Sequence, residues 1–180
     1  KRFALFVGTI EPRKNLLALI EGVKEYRERT HDDLHLVMIG SWGWRSHNVV
    51  RRLWKKDVSN WIHHEGYLSN QELSAVYRHA LVTIFPSIYE GFGLPVLESL
   101  ACGTPVITSH TSSLPEVGGN SCLYIDPYNS RDIAQALKEL LSSTALQKQL
   151  SEKGIEHAKQ FSWEKTARET LEVFKKSIVV

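Results

Sequence analysis

The run Leu81-Val82-Thr83-Ile84-Phe85-Pro86, followed shortly by Glu90-Gly91-Phe92-Gly93-Leu94-Pro95-Val96-Leu97-Glu98, decides how the chain is read. Its first part is unbroken apolar sequence, the pattern of a buried strand, and Pro86 ends it. Pro95 suits the first position of a helix, where its missing amide costs nothing, so a short helix is expected from Pro95 to Ala101 with Gly103 as its stop. Between strand and helix lies a glycine-rich elbow bracketed by two carboxylates. A strand turning sharply into a helix N-terminus is a repeating unit of parallel sheets covered by helices.

The same alternation extends in both directions. Towards the N-terminus, Phe3 to Val7 reads as a strand, Gly8 to Asn15 as a turn, and Leu16, Leu19, Ile20 and Val23 recur at helical spacing, which places Arg13 and Lys14 at a helix entrance. Leu34 to Ile39 is a second strand, followed by the aromatic, glycine-rich loop Gly40-Ser41-Trp42-Gly43-Trp44 and a helix holding Val49, Val50, Leu53 and Trp54. Trp61 to His64 is a short third strand that leads through Gly66-Tyr67-Leu68 into a helix marked by the capping-box pair Ser69 and Glu72. Beyond the elbow come a strand at Pro105 to Thr108, a turn-rich stretch from His110 to Asn120, and a last strand at Leu123 to Ile125. An amphipathic helix through Ile133, Ala136, Leu137, Leu140 and Leu141 follows. The final helix enters through Ser162 and carries Trp163, Ala167, Thr170, Leu171 and Phe174 on one face. The fold class is therefore α/β, a Rossmann-like parallel sheet with helices on both faces, in a single domain spanning 1–180.

Composition narrows the function classes. With 180 residues, 42% hydrophobic and 23% charged, the chain can bury a full core and disorder is excluded. A net charge of +2 without any run of five or six like charges gives no footprint for nucleic acid or a membrane surface. Cys102 and Cys122 lack metal-ligand spacing and read as free thiols of a reducing compartment, so a cytoplasmic location is expected. No apolar run approaches a membrane span and no signal peptide precedes Phe3. A chain that opens mid-strand is expected to be part of something longer.

In an open parallel sheet, ligands bind outside the carboxyl ends of the strands. Four unusual loops lie there: Gly8 to Asn15, Gly40 to Trp44, Gly66 to Leu68, and Glu90 to Pro95. At the elbow, Gly91 and Gly93 permit positive φ and leave the amides of Phe92, Gly93 and Leu94 to point at an anion. A helix end contributes only about 0.3–1 kcal/mol to an exposed anion. Arg13 and Lys14 are therefore the cations expected to hold a diphosphate. Glu90 and Glu98 would be repelled by phosphate, and carboxylates accept well from vicinal hydroxyls. Glu98 is accordingly assigned to a ribose and Glu90 to a sugar, which together describe a nucleoside-diphosphate sugar.

Glu90 and Glu98, with seven residues between them, resemble the Glu-x7-Glu motif of retaining glycosyltransferases of the GT-B architecture, particularly glycosyltransferase family 4, whose members include mannosyltransferases. The likeness runs in order through Gly8 to Asn15, Glu90 to Glu98, Ala101-Cys102-Gly103-Thr104-Pro105-Val106, Ser113-Leu114-Pro115-Glu116-Val117 and Asp126-Pro127. It implies the C-terminal half of a GT-B fold, a donor-binding domain facing an absent N-terminal domain that carries a glycan or lipid-linked acceptor. It also implies transfer of a hexose with retention, without metal or cofactor, and membrane contact at most peripheral and through the missing half. Gly8, Arg13, Lys14, Tyr67, Leu68, Glu90, Phe92, Gly93, Leu94 and Glu98 are then the donor-binding residues. Glu90, Lys14 and Arg13 carry the catalytic roles: Glu90 positions the sugar and stabilises developing positive charge, with no covalent role. Many family members have Gly-Arg where this chain has Gly8-Thr9; Arg13 replaces that cation, or the missing domain supplies one.

Two other functions fit the same residues less well: a non-catalytic nucleotide-sugar-binding or assembly module, and a sugar-nucleotide hydrolase using the carboxylate pair. His63 and His64, adjacent in a strand, point to opposite faces and do not share a metal. Trp42 and Trp44 are expected to border the crevice or to pack, and Tyr67-Leu68 to read a base through backbone groups. His110 is expected to be a satisfied structural histidine, and Ser113 to Val117 a turn supporting the site from behind.

Overall fold

The computed structural model describes residues 1–178. Six parallel strands form one sheet: β1 (Phe3–Val7), β2 (His35–Ile39), β3 (Ile62–Glu65), β4 (Val82–Phe85), β5 (Val106–Ser109) and β6 (Cys122–Ile125). Their spatial order is β3-β2-β1-β4-β5-β6, so the winding reverses between β1 and β4. All pairings are parallel, as the alternating pattern of strands and helices requires.

The described residues form eight α-helices: α1 (Leu16–Thr30), α2 (His47–Leu53), α3 (Asn70–His79), α4 (Leu94–Ala101), α5 (Leu114–Gly118), α6 (Ser130–Leu141), α7 (Thr144–Ala158) and α8 (Trp163–Ile178). The pleat of β1 sends Ala4 and Phe6 into the larger core with Leu19, Ile20 and Val23 of α1 and Ile133 and Leu137 of α6. Leu5 and Val7 point to the other face, where Tyr77 of α3 covers them. Thr83, the register partner of Leu5, lies on that second face and accepts a 2.7 Å bond from Ser99 Oγ of α4. The wholly buried β4 thus carries one hydroxyl in its run because α4 supplies the partner that burial demands.

Local chemistry explains the boundaries. The capping box expected at Ser69 and Glu72 is formed reciprocally, and Ser162 Oγ accepts from Lys165 N at 3.1 Å. α4 begins one residue before the expected start, with Pro95 second, because Gly93 supplies a left-handed N-cap at φ 110°. His110 to Asn120, expected to be turn, contains the short helix α5; Pro115 in its first turn starts it and Gly119 at φ 54° stops it. The expected packing face of α8 is a correction: Trp163, Leu171 and Phe174 are exposed, because no other described element covers that helix. Trp54 likewise lies outside the core, at 82% exposure. Both cysteines are free thiols, with Cys122 buried and its pKa pushed up to about 12 by burial. No helix among the described residues is long and apolar enough to cross a membrane.

α1 and α6 pack so closely that a Cβ at Gly22 would stand 2.6 Å from Ile133 Cβ and 2.9 Å from Ser130 O. A Gly22→Ala change gains helix propensity of at most about 1 kcal/mol. Forcing the two helices apart is expected to outweigh that gain, for a net loss of about 1–2 kcal/mol in urea unfolding.

Candidate active site

β1 and β4 lie side by side but feed helices on opposite faces, so the chain segments leaving them diverge and open a crevice. From β1 the chain passes Gly8 into a 3-10 turn, Pro12–Lys14, ended by Asn15 in the left-handed region at φ 59°. From β4 it passes Pro86 to Glu90 into the elbow. Ile88 N donates to Arg13 O at 2.8 Å. Asn15 Nδ2 donates to Pro86 O at 3.2 Å and to Pro127 O at 2.6 Å. One side chain therefore ties together the exits of β1, β4 and β6. The sequence hint was an asparagine ahead of a helix, a residue that tolerates positive φ.

These ties bring three of the expected residues into direct contact. Lys14 Nζ donates to Glu90 Oε1 at 2.6 Å, and Arg13 donates through one terminal nitrogen to Glu90 Oε2, also at 2.6 Å. Lys14 and Glu90 are buried, whereas 42% of the Arg13 side chain is exposed. Lys14 Nζ also sits 4.7 Å from the centre of the Phe85 ring, so the base of the crevice is apolar and the ion pair poorly screened. Arg13 Nε pairs with Glu11 Oε1 at 2.7 Å, and the other Glu11 oxygen accepts from Trp44 Nε1 at 3.1 Å. The sequence assigned the acids and the cations to different parts of a ligand; the fold joins them directly as Trp44–Glu11–Arg13–Glu90–Lys14.

Burial pushes the Glu90 carboxyl up, but hydrogen bonds from Lys14, Ser87 and Arg13 outweigh it and hold it below the usual carboxylate range. Ser87 Oγ is buried and has no other hydrogen-bond partner among the described residues. Ser87 was not foreseen, since nothing in its spacing marks it.

The elbow is held from behind by the serines preceding α5. Glu90 N donates to Ser112 Oγ at 3.0 Å, and Ser113 Oγ donates to Glu90 O at 3.0 Å and Phe92 O at 2.9 Å. Gly93 needs glycine twice over: its φ is 110°, and a Cβ there would stand 2.8 Å from Leu114. Gly91 corrects the expectation of two special glycines. It lacks positive φ, and no atom lies within 4 Å of a Cβ placed on it. The amides of Phe92, Gly93 and Leu94 donate to no acceptor among the described residues. They stand at the positive end of α4. Phe92 packs edge-on against Phe161 with ring centres 6.0 Å apart.

The remaining expected residues take no part in this chain of ion pairs. Gly8 leaves room for Lys14, whose Nζ is 3.8 Å from where a Gly8 Cβ would stand. At Gly40, φ 139°, a Cβ would fall 2.2 Å from Gly8 O, so glycine alone lets the exits of β1 and β2 touch. Those exits are joined by Ile10 N to Ser41 O at 2.9 Å and Gly43 N to Ile10 O at 3.0 Å, which fixes Trp42 and Trp44 beside the crevice. Tyr67 is 84% exposed, and Leu68 packs into the smaller core cluster. Glu98, in the second turn of α4, accepts from Tyr77 OH at 2.9 Å. His64 meets Gly40 O at 2.8 Å and His63 meets His35 at 2.9 Å, so the two histidines do point apart. His110 meets Ile125 O at 2.8 Å. Charged hollows of about 420 and 560 Å³ lie away from the crevice against α1, where Lys24 and Arg29 are already paired with Glu28 and Glu25.

With this geometry in hand, comparison with known proteins is decisive. The model of the family described as "Glycosyl transferases group 1" matches residues 1–157. The chain belongs to that family. It is 34% identical over 173 residues to O-antigen chain mannosyltransferase B of Escherichia coli, covering 96% of this chain and 45% of that protein. The chain spans from 21% to 45% of the length of the curated relatives it matches first. Sucrose-phosphate synthase from Thermosynechococcus elongatus superposes with a TM-score of 0.85 at 24% identity, over 98% of this chain and 45% of that one. The C-terminal domain of a glycosyl transferase group 1 family protein (LpcC) from Francisella tularensis superposes with a TM-score of 0.77 at 23% identity, over 89% of this chain and 85% of that one. The α/β, Rossmann-like architecture is that of GT-B glycosyltransferases.

The titration of Glu90 gives a test. Its folded pKa lies below its ordinary value of 4.5, so the ion pairs contribute stability above about pH 4.5 and lose it as pH falls through the lower folded value. In Glu90→Gln the acid limb of a stability-against-pH curve should be shallower than in the wild type, measured by urea unfolding at successive pH values.

Proposed function

We propose that this chain is the donor-binding domain of a retaining glycosyltransferase, which transfers a hexose from a nucleoside-diphosphate sugar to a glycan or glycolipid acceptor. The observation that carries the reading is the convergence of Arg13, Lys14 and three free elbow amides on one crevice at the switch point. Two cations and a helix N-terminus make a diphosphate cradle. Carboxylates beside it supply acceptors for sugar hydroxyls.

In this reading Lys14 and Arg13 neutralise the leaving diphosphate, which is the charge that develops as the glycosidic bond breaks. The Phe92, Gly93 and Leu94 amides hold its oxygens without needing to reorganise. Glu90 positions the sugar and stabilises positive charge growing at the anomeric carbon, without becoming covalently attached. Glu98 takes the ribose hydroxyls, and the backbone at Tyr67-Leu68 takes the base. Metal is not required, because the side-chain cations do its electrostatic work. The mannosyltransferase relative favours mannose as the sugar. The share of that relative left uncovered, together with the C-terminal domain from Francisella tularensis, supports a separate N-terminal domain for the acceptor.

Calorimetry with GDP, UDP and ADP tests the assignment. One of the three is expected to bind, and Lys14→Ala, which removes a buried cation from its anionic partner, should weaken it by about 2–5 kcal/mol. No binding by any of them, or an unchanged affinity in the variant, would sink the donor site. A free sugar released without acceptor would instead make the enzyme a hydrolase.

A further inference from the structure

Arg13 is shared by two carboxylates whose circumstances differ. Glu11 receives Nε at 2.7 Å, and its other oxygen is fixed by the Trp44 indole at 3.1 Å. Trp44 is itself placed by the backbone ties that join the exits of β1 and β2. Glu90 receives a terminal nitrogen of the same guanidinium at 2.6 Å and, with its second oxygen, Lys14 Nζ at 2.6 Å. Glu90 thus spans the two cations much as a pair of phosphate oxygens would. Of the two cations, Glu11 meets Arg13 alone, through Nε and not through the terminal nitrogen that Glu90 takes. An anion arriving between the elbow amides and the cations must compete with Glu90, but need not disturb Glu11.

We infer that Glu90 is a displaceable counterion and Glu11, braced by Trp44, a permanent one. The first holds Arg13 and Lys14 in place until a diphosphate takes them over and frees its carboxylate for the sugar; the second keeps Arg13 aimed throughout. The inference rests on the donor-site reading above. It makes Glu11 and Trp44 positioning residues, acting through Arg13 rather than on the substrate. It also gives the site a built-in order: the sugar-facing carboxylate becomes available only once the diphosphate has arrived. The exchange breaks no covalent bond and moves no proton, because one anion replaces another on the same two cations.

The discriminating experiment compares two isosteric variants, each removing one negative charge beside Arg13. If Glu90 competes with the ligand, Glu90→Gln should bind the nucleoside diphosphate about three- to tenfold more tightly than wild type, since the cations are no longer occupied in the free protein. Glu11→Gln should bind it no more tightly, because Arg13 loses its aim. Trp44→Phe, which keeps an aromatic ring but loses the indole N–H, should shift in the same direction as Glu11→Gln. Equal tightening in Glu11→Gln and Glu90→Gln would reduce the effect to bulk charge and overturn the inference, as would no tightening in Glu90→Gln.

A crystal structure of the wild-type chain with the nucleoside diphosphate supplies a readout independent of variant folding. Glu90 should have left at least one of its two cations, with the Arg13–Glu11 contact retained. A bound diphosphate with both Glu90 contacts intact overturns the exchange. Failure of wild type to bind any nucleotide takes down the donor site and the exchange together. Binding that is lost in Lys14→Ala but no stronger in Glu90→Gln removes the exchange and leaves the donor site standing.

Discussion

The buried pair between Lys14 and Glu90 is the constraint on which the rest of the crevice depends. Two charges removed from water are costly unless their geometry is good and their remaining valences are met. Here the contact is 2.6 Å, Arg13 supplies a second cation to the same carboxylate, and the Phe85 ring lies under the ammonium. For that arrangement to exist, the exits of two neighbouring strands must be held at fixed separation although their helices pull to opposite faces. Asn15, Ser112 and Ser113 do this with hydrogen bonds to backbone, so the ion pair and its scaffold specify each other.

The same logic explains how the elbow stays open. A glycine-rich turn is entropically expensive to order, and this one presents three amides that find no acceptor among the described residues. It is fixed by groups behind it: the serine hydroxyls before α5, the Leu114 side chain that only Gly93 can abut, and Phe161 against Phe92. Donors that remain unpaired on the open side while the backbone is pinned on the other are preorganised for an anion. The exits of β1 and β2 show a related economy, since the close approach at Gly40 lets the loops share hydrogen bonds and stand the two tryptophans at the rim.

Legibility differed between strands and partners. β1 was readable to the residue and the neighbouring strands nearly so, because burial on both faces leaves an apolar run that local sequence displays. The capping box at Ser69 and Glu72 was equally readable, since both halves lie within one turn. α8 misled for the converse reason. Its apolar stripe is real, but a stripe states only that something could cover it, and nothing among the described residues does. Gly91 misled because the composition Gly-x-Gly does not say which glycine bears the strained angle; contact with Leu114 decided for Gly93.

The sequence by itself determined the class of sheet, the loops that carry the unusual residues, and the chemistry those loops offer: two cations, two carboxylates and a flexible elbow. These are properties of short stretches, in which periodicity, turn residues and charge are local. Only the tertiary structure decided who pairs with whom. Lys14 and Glu90 are 76 positions apart, and Glu11 and Trp44 are 33 apart. Their meeting follows from a strand order that places β1 beside β4 and β2, which no spacing along the chain encodes. The acid assigned to a sugar because phosphate would repel it thus rests, in the folded chain, on the cations assigned to that phosphate.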